Sequence, residues 1–383
     1  MNTRILATFL VTFIGSSAFA AAPAVTAIHC PDGGIQPQAA VDPAGRIHLI
    51  YLKGDDARSD VMYTTSTDGG RTWAKSIRVN STPGAAIAVG TVRGAQLAIG
   101  QGNRVHVTWM GSDQAEPRGP EGATPMMYAR LNDAGDDFEP QRNLITFAPG
   151  LDGGGSVAAD QAGNVYVAWH APTPGKKGET NRTVWLAVSH DQGKTFAPET
   201  PMPKESTGAC GCCGMRLGTD AKGELFALYR AVNPDSRDIY FLTGKHAAGF
   251  SASDLQAWPT KTCPMSTASF ATAGDRTLAA WETAGQVQFT AIDAATGHSG
   301  PILAAPGNGN NRKHPSIAIN RDGYVVLAWT EGTGWKRGGS LAWQLYNPQL
   351  KPVPASAGTQ RGLAVWSLGT AVPTPDGGFA ILY

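Results

Sequence analysis

Apolar and polar residues alternate along this chain in short runs, and each run ends in a glycine-rich turn. Asp60-Val61-Met62-Tyr63-Thr64-Thr65 reads as a half-buried strand. The stretch that follows, Ser66-Thr67-Asp68-Gly69-Gly70-Arg71-Thr72-Trp73, ends it. There Asp68 is suited to accept hydrogen bonds from turn amides, and the glycines supply positive φ. Trp73 then begins the next strand and is expected beneath the turn. The same octet returns as Ser189-His190-Asp191-Gln192-Gly193-Lys194-Thr195-Phe196. A third copy, Asp133-Ala134-Gly135-Asp136-Asp137-Phe138, lacks the serine. Three copies in strand–turn–strand settings constitute a repeat.

A second periodicity is more regular. A strand of small residues, a turn and an apolar strand ending in an aromatic recur seven times. The aromatics are Tyr51, Trp109, Trp169, Tyr229, Trp281, Trp329 and Tyr383, spaced 58, 60, 60, 52, 48 and 54 residues apart. That spacing suits one four-stranded blade per repeat, and small residues suit inner strands crowded around an axis. The fold expected is an all-β propeller of four-stranded blades, with seven blades favoured by the seven hairpins. Six blades plus a supernumerary hairpin is the alternative. No sequence follows Tyr383 to build outer strands, so Ala24 to His29 is expected to add a strand and close the ring. Inner-strand starts and second-strand ends then share one face, here called the top, and the aspartate turns lie on the other.

The octets resemble Asp boxes, or BNR repeats, of the sialidase superfamily of β-propellers, and the resemblance runs from about residue 35 to the C-terminus. It implies a propeller, six-bladed in sialidases, with a top-face ligand site. It also implies an arginine triad that clamps a carboxylate, a tyrosine nucleophile and an aspartate acid–base. The first arginine of that pattern is missing, because the matching stretch reads Gly34-Ile35-Gln36-Pro37-Gln38. Lys53-Gly54-Asp55-Asp56-Ala57-Arg58 resembles the loop carrying a further arginine and an acid, with Lys53 a point charge where a planar fork is expected. Arg93, Arg216 and Arg312 are left to rebuild a clamp, and Tyr346 with Glu331 or Glu282 is a conceivable nucleophile pair. Ordinary exo-sialidase activity is therefore expected to be absent or very weak.

Composition narrows the partners. The formal net charge is +1, with 31 basic and 30 acidic residues, so nothing favours nucleic acid or an acidic membrane. Met1 to Arg4 is a short basic start, Ile5 to Ile14 is apolar, and Ala18-Phe19-Ala20 offers a small-residue cleavage site. Residues 1–20 thus read as a secretory signal peptide, residues 21–383 as one domain, and the destination as the periplasm or the exterior. No later segment is expected to span a membrane.

Counting sixteen residues back from each aromatic defines one ring position at the top of each blade. Blade four enters through Ala209-Cys210-Gly211-Cys212-Cys213-Gly214-Met215 and blade five through Thr262-Cys263-Pro264-Met265. Adjacent blades bring four of the five cysteines together, with Met110, Met215, Met265, His170 and His314 expected around them. Thiolate and thioether donors suit copper(I), with zinc as the tetrahedral competitor. The bland reading is a disulfide from Cys263 to blade four, with Cys30 taking a further thiol. Three functional readings follow. One is a top-face site for a carbohydrate or other small ligand, held by Lys53, Asp55, Arg93, Arg216, Arg230 and Lys313, with glycosidase chemistry from Glu282 or Glu331. The second is a soft-metal or thiol-redox site built from Cys210, Cys212, Cys213, Cys263, Met265 and His314. The third is a non-catalytic protein-interaction propeller.

Overall fold

The computed structural model describes residues 22–244, 249–307, 309 and 311–383. The proposed signal peptide lies outside the described residues. Seven antiparallel sheets follow one another along the chain, six of four strands and one of three. The first blade comprises Ile35–Val41, Ile47–Asp55, Arg58–Ser66 and Ile77–Arg78. The fourth comprises Arg216–Thr219, Leu225–Arg230, Ile239–Gly244 and Ser251–Gln256. In the fifth, Ser269–Ala273 is innermost, followed by Arg276–Thr283. In the sixth, Arg312–Ile319 is innermost, followed by Val325–Glu331 and Gly339–Tyr346.

The last sheet closes the ring. Thr370–Pro373 pairs with Phe379–Leu382, and the N-terminal strand Val25–Ile28 adds to the latter in parallel. The fold is thus a seven-bladed propeller sealed by its N-terminus, and the six-bladed alternative is set aside. The closing blade has three described strands rather than four.

The packing explains why the repeats need one another. Seven apolar clusters each join two neighbouring blades, the last uniting Ile47, Leu49 and Tyr51 of the first blade with Val372, Ala380 and Leu382 of the seventh. A single blade is an open sheet with apolar residues on both faces, so stability comes from stacking. The repeat aromatics carry much of it: Tyr51, Trp109, Trp169 and Trp281 are each at most 1% exposed. Burying about 200 Å² of aromatic surface contributes ~5 kcal/mol per ring before entropy is subtracted.

The lower face carries the aspartate turns. Ser66 Oγ donates to Asp68 Oδ1 at 2.8 Å and accepts from Gly70 N at 2.9 Å. Asp68 also accepts from Thr72 N at 2.9 Å and Thr72 Oγ at 2.6 Å. Ser189, Asp191, Gly193 and Thr195 repeat the arrangement to within 0.1 Å. Near Phe138 the turn is built differently, with Asn132 Oδ1 accepting from Gly135 N at 2.8 Å.

At the top, several inner strands begin with a residue in the left-handed region. Gln36, Met265, His314 and Trp366 have φ of 52°, 47°, 51° and 62°. Register shifts between Ile35 and Gln38, and between Lys313 and Ser316, mark bulges at two of these positions. A bulge re-aims side chains, and a non-glycine residue there costs on the order of 1 kcal/mol or more. Gln36, Met265, His314 and Trp366 fall at, or one residue from, the position sixteen before each aromatic, so that level of the ring is conformationally distinct in these blades.

Candidate metal centre and top-face pocket

Blade four enters its inner strand through a tight turn. Cys210 N donates to Arg230 O at 2.9 Å, and Cys213 N reaches back to Cys210 O at 3.3 Å. Gly214 N donates to Ser266 O at 2.9 Å, which fixes this turn against the entry of blade five. Gly211 lies close to Asp152, whose carboxylate would sit 2.9 Å from a Cβ there and would have to turn aside for any larger residue.

The consequence is a knot of sulfur. The Sγ atoms of Cys210, Cys212 and Cys263 all lie within 4.8 Å of one another, and Cys210 Sγ is 3.7 Å from Cys263 Sγ. A disulfide requires about 2.05 Å, so no such bond is formed. Two sulfurs sharing a tetrahedral metal at ~2.3 Å stand about 3.8 Å apart. Cys213, 3% exposed, joins the same small cluster with Val232. Hydrogen bonds from Cys210 and Cys263 draw the Cys212 and Cys213 thiols down toward thiolate, against the effect of burial. Arg93 acts in the same direction on Cys212 and Arg230 on Cys213. Cys210 is pushed up by its thiol neighbours, and Cys263 is pushed up overall. Cys30 takes no part: it packs in the cluster between blades seven and one, and burial pushes it up to about 12.

Beside the sulfurs lies a cavity of about 130 Å³, lined by Cys212, Met265 and His314 together with Arg93, Lys313, Trp335 and Trp366. Burial pushes His314 down to about 3, which keeps its imidazole neutral. Trp335 is 55% exposed and meets Trp366 edge to face, with ring centres 4.7 Å apart. His170, fully buried, donates from Nε2 to Cys213 O at 3.1 Å. Its Nδ1 has no partner among the described residues.

The charged candidates divide. Arg93 and Lys313 line this cavity, but Arg93 is already engaged, with Nη2 2.8 Å from Asp152 Oδ1 and Nη1 3.0 Å from Val89 O. Arg230 is buried against Glu282 at 3.5 Å and stacks on Trp258 at 5.2 Å. Arg312 holds Glu331 at 3.0 Å, and Trp329 Nε1 donates to the same carboxylate at 2.8 Å. Burial pushes the Glu282 carboxyl up, opposed by Arg230. Lys53 and Asp55 lie on an exposed part of the first blade, with Lys53 4.0 Å from Asp32. Neither lines the cavity. Arg216 sits in the axial channel. Among the described residues, Arg93, Arg216 and Arg312 do not share one cavity.

Tyr346 requires a correction. Its backbone pairs with Val325, whereas Glu331 pairs with Ser340 at the other end of the same two strands. The ring is 2% exposed and packs on Phe289, and its hydroxyl has no partner among the described residues. Burial pushes it up, away from the phenolate. A nucleophile must lie within hydrogen-bond reach of its base, and Tyr346 has neither Glu282 nor Glu331 there. Asp152 and Trp258 escaped the sequence reading. Each partners an arginine from a neighbouring segment, and only the triple glycine after Asp152 hints at a close approach.

No family model matches the chain, and no curated protein matches it. Solved structures do share its architecture. A protein of unknown function from Dyadobacter fermentans superposes with a TM-score of 0.53 at 15% identity, over 78% of this chain and 90% of that one. An α-L-arabinanase from Penicillium chrysogenum, complexed with arabinobiose, gives 0.53 at 13%, over 84% and 95%. A Trypanosoma rangeli sialidase with the inhibitor DANA gives 0.51 at 12%, over 79% of this chain but only 53% of its own. At these identities the likeness is one of fold. The chain shares the β-propeller architecture of these structures, and its chemistry has to be argued from its own residues.

Proposed function

We propose that the protein is an exported propeller that holds a soft metal ion, copper(I) foremost, in the thiol nest of Cys210, Cys212 and Cys263. Cys213 packs beside the nest, and Met265 and His314 line the cavity on its open side. The observation that carries this reading is the mutual spacing of three sulfurs, which matches metal ligands and not a disulfide. Sulfur donors select copper(I) and zinc among common ions, and a three-thiol set with one open side suits copper(I) better than a closed tetrahedron.

The test is a competition titration of reduced protein against a chromogenic copper(I) chelator without oxygen. The expected result is one ion per chain, with affinity falling at least about 1,000-fold in a Cys212→Ser, Cys213→Ser variant. Equal affinity in the variant overturns the reading, as does a Cys210–Cys263 disulfide in protein isolated from the periplasm. A signal sequence is tested separately, by N-terminal sequencing of the exported protein, with cleavage expected after Ala20.

A second reading has its own observation. Trp335 and Trp366 flank the cavity beside two cations, an arrangement that supports stacking of a sugar ring with an acidic group nearby. It does not support exo-sialidase chemistry, because the clamp arginines are spent elsewhere and Tyr346 is buried. A fluorogenic sialoside is expected to remain intact, and robust turnover would overturn that part.

A further inference from the structure

The axial channel holds a charge that no acid among the described residues neutralises. Arg216, at the start of the innermost strand of blade four, extends toward the opposite side of the ring. Its Nη2 donates to Gln38 Oε1 of blade one at 3.0 Å, and its Nε to Ala268 O at 3.3 Å. Both acceptors are neutral. Among the described residues no carboxylate pairs with Arg216, and no acidic residue lines the channel cavity of about 170 Å³. Arg216 is half-buried and open to the channel, whereas the buried Arg230 and Arg312 each have an acid, Glu282 and Glu331.

The walls add donors to that charge. Ser269 Oγ accepts from Ile317 N at 3.2 Å, and Ser316 Oγ accepts from Ala371 N at 2.8 Å, each bridging to the next blade. With an oxygen lone pair used this way, each hydroxyl keeps its proton to give. Among the described residues neither gives it to a protein acceptor, and Thr370 adds a third hydroxyl to the lining. Gln38 Oε1, which also lines the channel, accepts from Arg216. A cavity with one guanidinium, three hydroxyl protons and no carboxylate is matched to a negative ligand. Waters could satisfy the hydroxyls but would leave the charge without a counterion.

We infer that the axial channel is a binding site for one small monovalent anion, of halide or formate-to-acetate size, held by Arg216 with Ser269, Ser316 and Thr370. A single positive charge argues against phosphate or sulfate, since a doubly charged ion would leave a net negative charge in the channel. The burial that pushes the Arg216 guanidinium down to about 10 has the same origin, and a bound anion would reverse it. The inference is independent of the thiol nest.

The test uses the full mature chain dialysed into sodium gluconate, a bulky hydroxylated anion, as the reference salt. Thermal melts follow replacement of gluconate by chloride, bromide or acetate at constant ionic strength. A bound anion at a hundredfold excess over its Kd is expected to raise Tm by about 3–4 °C in a chain of this size. The rise should vanish in Arg216→Met and persist in Arg216→Lys. A crystal soaked in bromide should show an anomalous peak within hydrogen-bond distance of residue 216. A response to acetate alone identifies the ligand as a small carboxylate. Equal melting in all salts, or a halide response that survives in Arg216→Met, overturns the inference. Should Arg216→Met fail to fold, crystals soaked in bromide and in acetate decide: a channel that holds neither anion beside residue 216 is equally fatal.

Discussion

The two ends of the propeller use similar materials to opposite effect. Below, the turns of Ser66 and Ser189 crowd a hydroxyl, a carboxylate and several amides into a glycine-rich loop, and each group bonds to another group of the same loop. Above, the glycine-rich turn entering blade four brings three thiols up to Cys263 of blade five, and the thiols find little besides one another. Closed sets of donors and acceptors stabilise a fold. Sets left open toward a cavity, as here toward the 130 Å³ pocket at Cys212, are suited to a ligand. The seven apolar clusters each join two blades as structural glue, whereas the small eighth cluster is made of cysteines and one valine.

That contrast can be broken by experiment, most strongly at the top. Copper(I) at a thousandfold excess over its Kd should stabilise the protein by about 4 kcal/mol. Calorimetry with and without the ion reads this directly, and no shift would mean that the thiols are as self-contained as the turns below. Ser66→Ala should do the reverse. It strands the amide of Gly70 in a buried turn and is expected to cost about 1–3 kcal/mol in denaturant unfolding. Copper affinity should be unchanged, since the substitution lies on the other face. A coupled loss would show that the two ends are not independent.

Acid titration sharpens the comparison. Hydrogen bonds from Thr72 hold Asp68 below the usual carboxylate range, and bonds within the turn do the same for Asp191 against burial. Such depressed groups contribute stability that is complete above the unfolded carboxylate pKa and is lost as pH falls through the folded one. Glu282, pushed up by burial, has the opposite sign: it opposes stability once pH exceeds its unfolded pKa, and increasingly so up to its folded value. The lower face should therefore contribute to the loss of Tm below about pH 4, alongside carboxylates elsewhere such as Asp113, which Arg58 holds down. An Asp68→Asn, Asp191→Asn variant should show a flatter acid limb, and an unchanged limb would assign it elsewhere.

Much of this was legible from periodicity alone. The seven aromatics mark the ends of the second strands, because a ring of stacked sheets needs a large apolar residue there in every blade. The same registration puts Cys213 and Met265 at equivalent positions of adjacent blades, which is why the thiols were expected together. The arginine partners were not legible. Asp152 lies 59 residues from Arg93, and Arg216 reaches across the ring to Gln38, 178 residues away. No local pattern encodes contacts that exist only after the ring closes. The misreading of Tyr346 has a similar cause: a strand's sequence shows which residues alternate inward, but not which of them reaches the ligand face.

Tyr346 also supplies the smallest expected effect. Its hydroxyl is buried against Phe289 between blades five and six and lacks a described partner. A buried, unsatisfied hydroxyl opposes folding, because its hydrogen bond to water is lost and not replaced. Tyr346→Phe removes the liability without changing the ring that fills the space. Unfolding free energy should therefore stay level or rise by up to about 1 kcal/mol, and copper affinity should not move. A glycosidase whose nucleophile is Tyr346 requires the opposite pattern, with little change in stability and complete loss of turnover. Measuring both quantities on the one variant separates a core residue from a catalytic one. A loss of stability greater than about 1 kcal/mol would instead reveal a hydrogen bond to ordered water at that hydroxyl.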